Sequence, residues 1–556
     1  MRSMRLAFLT AAISALVLFS VLAPAGAQQS PLAGQVSSPE EGTMEGVLVS
    51  AKRDGTTVTV TVVSDNQGRF SFPAGRLEPG HYSLRVRAVG YDLDASTAVD
   101  VAGGKTTTLD LKLRKTEDLA SQLSNGEWIA SAPGTDQQKN GLLNCLGCHT
   151  LERIVKSRHS AEDFMQVLPR MQGYVNQSIP AHPQLRRAER LMEERGDQRV
   201  QVQRNLAEYL ATINLSKGPQ WDYPLKTLLR PTSRATRVVI TEYDLGRETI
   251  EPHDVIVDNA GIAWYSSFGE AFLGRLDPKT GKVTEFPLPE LKRDFPTGSL
   301  GLRTDPAGNL WLGMMYQGGI AKFDPKTEKL ETWSLPSAVN IDAAQVNMVS
   351  PQRSDVDGKV WTQNNGFAGV HRLDIATGAI ETFEPFRDAP KGEPHNIYDV
   401  IPDSKNNAYF TDFRHRHIGR IDAKTGAIKL YAAPTPASAP RRGTMDANDR
   451  LWFGEYRANR VAMFDTRSET FKEWPMPTPW TTPYDVVLDK NGEAWTGSMS
   501  TDRVVRLDPA SGATVEYLLP RETNIRRVFV DNSTSPVTFW VGSSHGASIV
   551  KLEPLE

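Results

Sequence analysis

Cysteine is nearly absent from this chain of 556 residues, which has only Cys145 and Cys148. That scarcity excludes a disulfide framework and a zinc site of the four-cysteine kind. Long apolar runs are equally scarce. One, residues 6–23, follows Arg2 and Arg5 and leads into Ala25-Gly26-Ala27. Charge, apolar stretch and small residues in that order form a secretory signal, so residues 1–27 are expected to be a cleaved leader. No other run reaches the ~20 residues a spanning helix needs, so no integral membrane segment is expected after cleavage. Charge of one sign is lacking too. The net charge is −3 with no basic block, which gives no reason to expect nucleic acid or anionic lipid as a partner. Long helical patterns are few while Gly (43) and Pro (36) are plentiful, which favours β-structure with many turns.

What the chain does have is Cys145-Leu-Gly-Cys148-His149. Two thiols one helical turn apart suit thioethers to the two vinyl groups of a haem, and the adjacent imidazole suits the proximal iron site. This is the attachment signature of haem c. A redox-active CxxC pair would want a thioredoxin-like βαβ setting, and half a zinc site would want two more ligands at zinc spacing. Neither context is present. Cys145, Cys148 and His149 are therefore the cofactor-binding candidates, with His149 on the iron. Thioether attachment takes place outside the cytoplasm, so leader and motif together predict a periplasmic protein.

Three segments follow the leader. Residues 31–115 carry short strands, Val58–Val63 and Tyr82–Arg87, with a turn at Asp65-Asn-Gln-Gly68 between them and Phe70 and Phe72 on one face. Asp65, Gly68, Phe70, Gly80, Tyr82, Gly90 and Tyr91 fall on the pattern of the carboxypeptidase regulatory-like (transthyretin-like) β-sandwich, which this segment resembles. Such a module implies an accessory role. Residues 137–216 read as helical. Ser160-Ala-Glu-Asp163 is a capping box, and Phe164, Val167, Leu168 and Met171 follow at helical period. Val202, Leu206, Tyr209, Leu210 and Ile213 make a second apolar face. Leu206-Ala-Glu-Tyr-Leu210 resembles the last helix of small mono-haem cytochromes c. Those cytochromes commonly use a downstream methionine as sixth ligand, and Met171 is the expected one, with Met192, Met165, His159 and His182 as alternatives.

Residues 236–556 repeat. Aromatic residues recur at Trp264, Trp311, Trp361, Tyr409, Trp452, Trp495 and Trp540, separated by 43–50 residues. Turns such as Asp277-Pro-Lys-Thr-Gly281 and Asp422-Ala-Lys-Thr-Gly426 follow each one. About four short strands per unit make a propeller blade. Seven blades are expected, closed by the strand Thr241–Leu245 joining the last one. Pro252-His253-Asp-Val255, Pro394-His395-Asn-Ile397 and the stretch from Leu451 to Val461 resemble the streptogramin (virginiamycin B) lyase family. That resemblance implies opening of a cyclic ester by β-elimination with Mg²⁺, His395 as acid or base and Glu455 as metal ligand. Where the family has Pro-His, blade five has Pro440-Arg441-Arg442 and blade six Pro483-Tyr484-Asp485.

Without the family, the residue leading each innermost strand should face the central funnel. His253 and His395 both follow Glu-Pro, so both are expected in one pocket with Arg441 or Arg442, Tyr484, and Arg526 or Arg527. Glu455, Arg457, Asp412, Arg414 and His415 are placed on neighbouring loops. The catalytic candidates are His395, His253, Arg442 and Tyr484. The run Arg414-His-Arg-His417 reads as a polar loop, because alternate residues of a strand point to opposite faces. The fold expected is multidomain and mainly β: a sandwich, a small helical cytochrome c domain and a seven-bladed propeller. The leading function is haem c electron transfer, as an oxidoreductase whose propeller binds a redox partner protein or a small-molecule substrate. The alternatives are a Mg²⁺-dependent lyase or lactone hydrolase with an accessory cytochrome, and a non-catalytic interaction subunit of an electron-transfer complex.

Overall fold

The computed structural model describes residues 30–95, 97–185, 196–353, 356–390 and 393–556. The expected leader and Met192 lie outside them. Among the described residues no helix is long and apolar enough to cross a membrane.

The N-terminal sandwich forms because its strands alternate apolar and polar side chains. Phe70, Phe72, Leu84 and Leu111 point into one buried cluster between the two sheets. The expected turn is present: Gly68 donates to the Asp65 carbonyl at 2.8 Å. Gly68 has φ +71°, a value glycine adopts without a Cβ penalty.

The propeller is built from six four-stranded sheets and a seventh that joins both ends of the repeat. The strand Val238–Asp244 pairs with Ser548–Pro554, Ile240 opposite Leu552, and so closes the ring as expected. Its other edge does not face water. It pairs with Val58–Val63 of the sandwich, Thr241 opposite Val60, so blade seven and one sandwich sheet are a single eight-stranded sheet. This covers an edge that would otherwise present unpaired N–H and C=O groups. The recurring tryptophans hold the blades. The indoles of Trp264, Trp311, Trp452 and Trp495 each donate, at 2.8–3.1 Å, to an aspartate six residues earlier.

The helices lie between these two parts in sequence. Asn125–Ser131, Asp136–Leu142 and Ala161–Gln172 each start at a reciprocal capping box, on Ser124, Thr135 and Ser160. In the last helix, Gly196–Ile213, Leu210 and Ile213 are buried as the period predicts. Val202 is 62% exposed, so the apolar face starts later than the pattern suggests. Trp128, Leu146, Phe164 and Leu210 share one apolar cluster with Phe268, Met315, Met348, Tyr398, Tyr456, Tyr484 and Met499 of the propeller. The helices therefore cap the mouth of the propeller. The fit is close at Gly126, whose N–H donates to the Ser500 carbonyl at 2.6 Å. A Cβ at Gly126 would stand 2.7 Å from Cγ2 of Thr501.

Candidate functional site

The innermost strands decide what faces the axis. Their ladders slip between Pro252 and Val255, Ile397 and Val400, Pro440 and Gly443, and Ile525 and Val528. A bulge sets two successive residues against one on the neighbouring strand. The first residues of these doublets, with the matching one of blade six, are His253, Tyr398, Arg441, Tyr484 and Arg526. The second are Asp254, Asp399, Arg442, Asp485 and Arg527.

The second set forms a charged layer. Arg442 holds Asp254 through two bonds, 2.6 and 2.8 Å, and Arg527 adds a third at 2.8 Å. Arg303 of blade two grips Asp399 with two bonds of 2.9 Å. Burial works to raise the Asp254 carboxyl, but Arg442 and Arg527 outweigh it and hold the group well below its usual range. Asp485 has less compensation, and burial pushes it up from 3.8 to about 7.

The first set is a hydrogen-bonded chain. His253 donates from Nδ1 to Asp254 at 2.8 Å, which leaves Nε2 to accept from the Tyr484 hydroxyl at 3.2 Å. The Tyr484 and Tyr398 hydroxyls bond to each other. Burial pushes His253 down to about 3, so its imidazole is neutral. The Arg441 guanidinium lies 3.9–4.8 Å from the ring centres of Tyr484, Tyr456, Phe413 and Tyr398. His253, Tyr484 and Arg442 are all buried beneath the helical cap. Three of the four expected catalytic residues thus come together, in a sealed polar layer and not in an open funnel.

His395 does not join them. Pro252 pairs with Ser267 at the point where Ile397 pairs with Asp412, so the counterpart of His253 is Tyr398. The two Glu-Pro-His segments are offset by three residues within their blades, and His395 stands on the rim, ahead of its strand. There its Nδ1 donates to Asp412 at 2.6 Å and its ring stacks on Phe386. The expectation of one shared pocket is corrected by that register. Aligning the blades on Val255, Val400, Gly443 and Val528, in place of Pro-His, exposes the doublets, including Asp254, Asp399 and Tyr398, which the Pro-His pattern hides. Glu455 is buried at the end of its strand with neither carboxyl oxygen hydrogen-bonded. Burial, reinforced by Glu473, pushes it up to about 8. Among the described residues no hydrogen bond or ion pair joins it to His395.

The Cys145–Gly147 turn meets blade seven on the helical side. Asn524 donates to the Leu146 carbonyl at 2.9 Å and Arg526 to the Gly147 carbonyl at 2.8 Å. His545 lies within electrostatic reach of Arg526 and His149, both its ring nitrogens sealed from solvent. Neither cysteine is in a disulfide. His149 donates from Nδ1 to the Thr150 carbonyl at 2.8 Å, which keeps the Nε2 lone pair for a metal. That donor set fits a covalently held haem. Of the candidates for a sixth ligand, Met171 is half-buried at the end of its helix and Met165 packs against the shared cluster. His159 packs edge-on to Phe164, and His182 has an unpartnered, buried Nδ1.

The sandwich, helical cap and closed seven-bladed ring define a propeller protein with an N-terminal β-sandwich, and comparison with known proteins agrees. Residues 293–523 match the Virginiamycin B lyase family and residues 31–114 the carboxypeptidase regulatory-like domain. A streptogramin B lyase structure is 21% identical, covering 58% of this chain and 99% of its own, with a TM-score of 0.50. A virginiamycin B lyase from Staphylococcus aureus is 22% identical over 57% of this chain and 99% of its own, with a TM-score of 0.49. At these identities the likeness is one of fold. No curated protein matches the chain.

Proposed function

We propose that this is an exported haem c protein in which Cys145 and Cys148 hold the haem, His149 ligates its iron, and electrons pass to or from a redox partner or substrate at the propeller side. The observation that carries this reading is the docking of the attachment turn. A CxxCH segment with a metal-ready His149 is held by Asn524 and Arg526 against the mouth of the propeller. Bound haem would supply one-electron chemistry. The chain's own part is to orient His149 through Thr150, to shield the attachment turn between helices and blade seven, and to seal the axis beneath it with neutralised charge. Met171 would be the second protein ligand of the iron. Expression with a haem-attachment system and mass measurement after acid denaturation tests the proposal. A chain heavier by one haem is expected, and a haem-free mass would overturn it.

One observation favours a second reading, a lyase-like activity on a cyclic ester. His395 keeps 9% of its side chain exposed at the rim and is oriented by Asp412, as a general base needs to be. The family match over residues 293–523 supports the same reaction class. Loss of ester opening in His395→Ala, with the haem spectrum unchanged, is the result this reading expects.

A further inference from the structure

The His395 rim carries more than a base. The turn after Asp412 brings His415 back over His395, their ring centres 4.4 Å apart, and Glu393 joins the same cluster. Among the described residues, Glu393, His395 and His415 are the trio of metal-ligating side chains whose donor atoms all lie within 4.8 Å of one another. We propose that Glu393, His395 and His415 form a binding site for a divalent transition metal of the Zn²⁺ class.

The hydrogen bonds around the trio select which atoms are free to coordinate. His395 gives its Nδ1–H to Asp412 at 2.6 Å, which leaves the Nε2 lone pair. His415 gives its Nε2–H to the Pro394 carbonyl at 3.1 Å, which leaves Nδ1. That free nitrogen is 3.7 Å from a Glu393 carboxylate oxygen. Histidine ligands are usually held this way, one nitrogen on an outer carboxylate or carbonyl and the other on the metal. Phe386, stacked 3.7 Å from the His395 ring, restricts its rotation further. Donors around a tetrahedral Zn²⁺ stand roughly 3.3 Å apart, close to the 3.7 Å that separates Glu393 from His415 Nδ1. His417 stands nearby. Its Nδ1 is buried without a partner and its ring centre is 6.1 Å from that of His415.

The donor types set the class of metal. Two imidazoles and one carboxylate suit Zn²⁺, Co²⁺, Ni²⁺ or Cu²⁺, whereas Mg²⁺ prefers all-oxygen ligands and keeps its waters. Three protein ligands at a rim leave one position for solvent or an oxygen-donor ligand, the arrangement of catalytic and not structural zinc. In this site His395 is a ligand, and a nitrogen committed to a metal is not free to take up a proton. The inference stands apart from the haem reading, because it involves none of Cys145, Cys148 or His149.

Titration of untagged, chelator-stripped full-length protein with Zn²⁺ tests the site, read by calorimetry and metal analysis and not by turnover. One equivalent is expected to bind, undisturbed by millimolar Mg²⁺. His415→Ala and Glu393→Gln should weaken binding at least tenfold, and Asp412→Asn, acting through His395, by roughly 10–100-fold. Glu393 is exposed, so Glu393→Gln leaves the fold intact and keeps the test valid if a histidine variant misfolds. Failure of the wild type to bind Zn²⁺, or binding that survives Glu393→Gln and His415→Ala together, would overturn the proposal. So would loss of Zn²⁺ in Cys145→Ser with retention in His415→Ala, since that places the metal at the thiols.

Discussion

Glu251-Pro252-His253 and Glu393-Pro394-His395 are the same tripeptide, yet the two histidines live in opposite surroundings. His253 is buried on the axis between Asp254 and Tyr484, whereas His395 stands on the rim against Asp412, Phe386 and His415. The difference is one of register. Each blade's bulge decides which doublet enters the channel, and a doublet is defined by its pairing across the ladder, not by the residues before it. The lesson is physical. At the axis, charges are taken out of water and must neutralise one another, while at the rim, solvent leaves lone pairs available for chemistry.

That contrast can be broken most severely at Asp254. Asp254→Ala leaves Arg442 and Arg527 buried without their shared carboxylate, and stability should fall by about 3–5 kcal/mol. Denaturant unfolding of the full chain measures it. An effect below ~1 kcal/mol would show that the axial layer is hydrated and not sealed. Gly126→Val comes next. Its Cβ would collide with Thr501, so the helical cap should lose about 1–3 kcal/mol of docking and become the first segment cut in limited proteolysis.

The charge layer also predicts a pH dependence. Between 3.8 and about 7 the folded protein keeps a proton on Asp485 that the unfolded chain has released. The unfolded state is therefore favoured as pH rises through that window, and Asp485's contribution to stability declines from pH 4 to 7 and is flat above it. Asp485→Asn should flatten that slope, and an unchanged slope would refute the assignment. The smallest effect is expected at the rim. His395→Ala should change stability by no more than about 1 kcal/mol, against about 2 kcal/mol for His253→Ala, which strips partners from two buried groups. Equal losses at the two positions would erase the contrast.

Much of the architecture is legible in the amino-acid sequence. The spacing of Trp264 through Trp540 predicts the blades, four of whose indoles (Trp264, Trp311, Trp452 and Trp495) bridge their own turns, and Ser160 with Asp163 marks a helix start through purely local hydrogen bonds. The run from Arg414 to His417 marks the limit. It is legible as a polar turn, but its residues do not reveal that the turn lays His415 on His395. The sandwich pattern is equally plain, but nothing in Val58–Val63 announces that the strand extends a propeller blade.

What the sequence determined by itself are the features whose causes lie within a few residues: the Cys145-to-His149 motif, the capping boxes, the Asp-Gly turns and the repeat. What only the tertiary structure decided are the features whose partners lie far along the chain. Asp254 meets Arg442, 188 residues away, and Leu146 meets Asn524 across 378 residues. Burial at those meetings, and not residue type, made His253 a neutral structural link while leaving His395 on the rim with a free nitrogen. Closure of the ring and docking of the helices remove water from His253 altogether and leave the His395 side chain 9% exposed, and access to water decides whether a polar group must be paired or is free to bind.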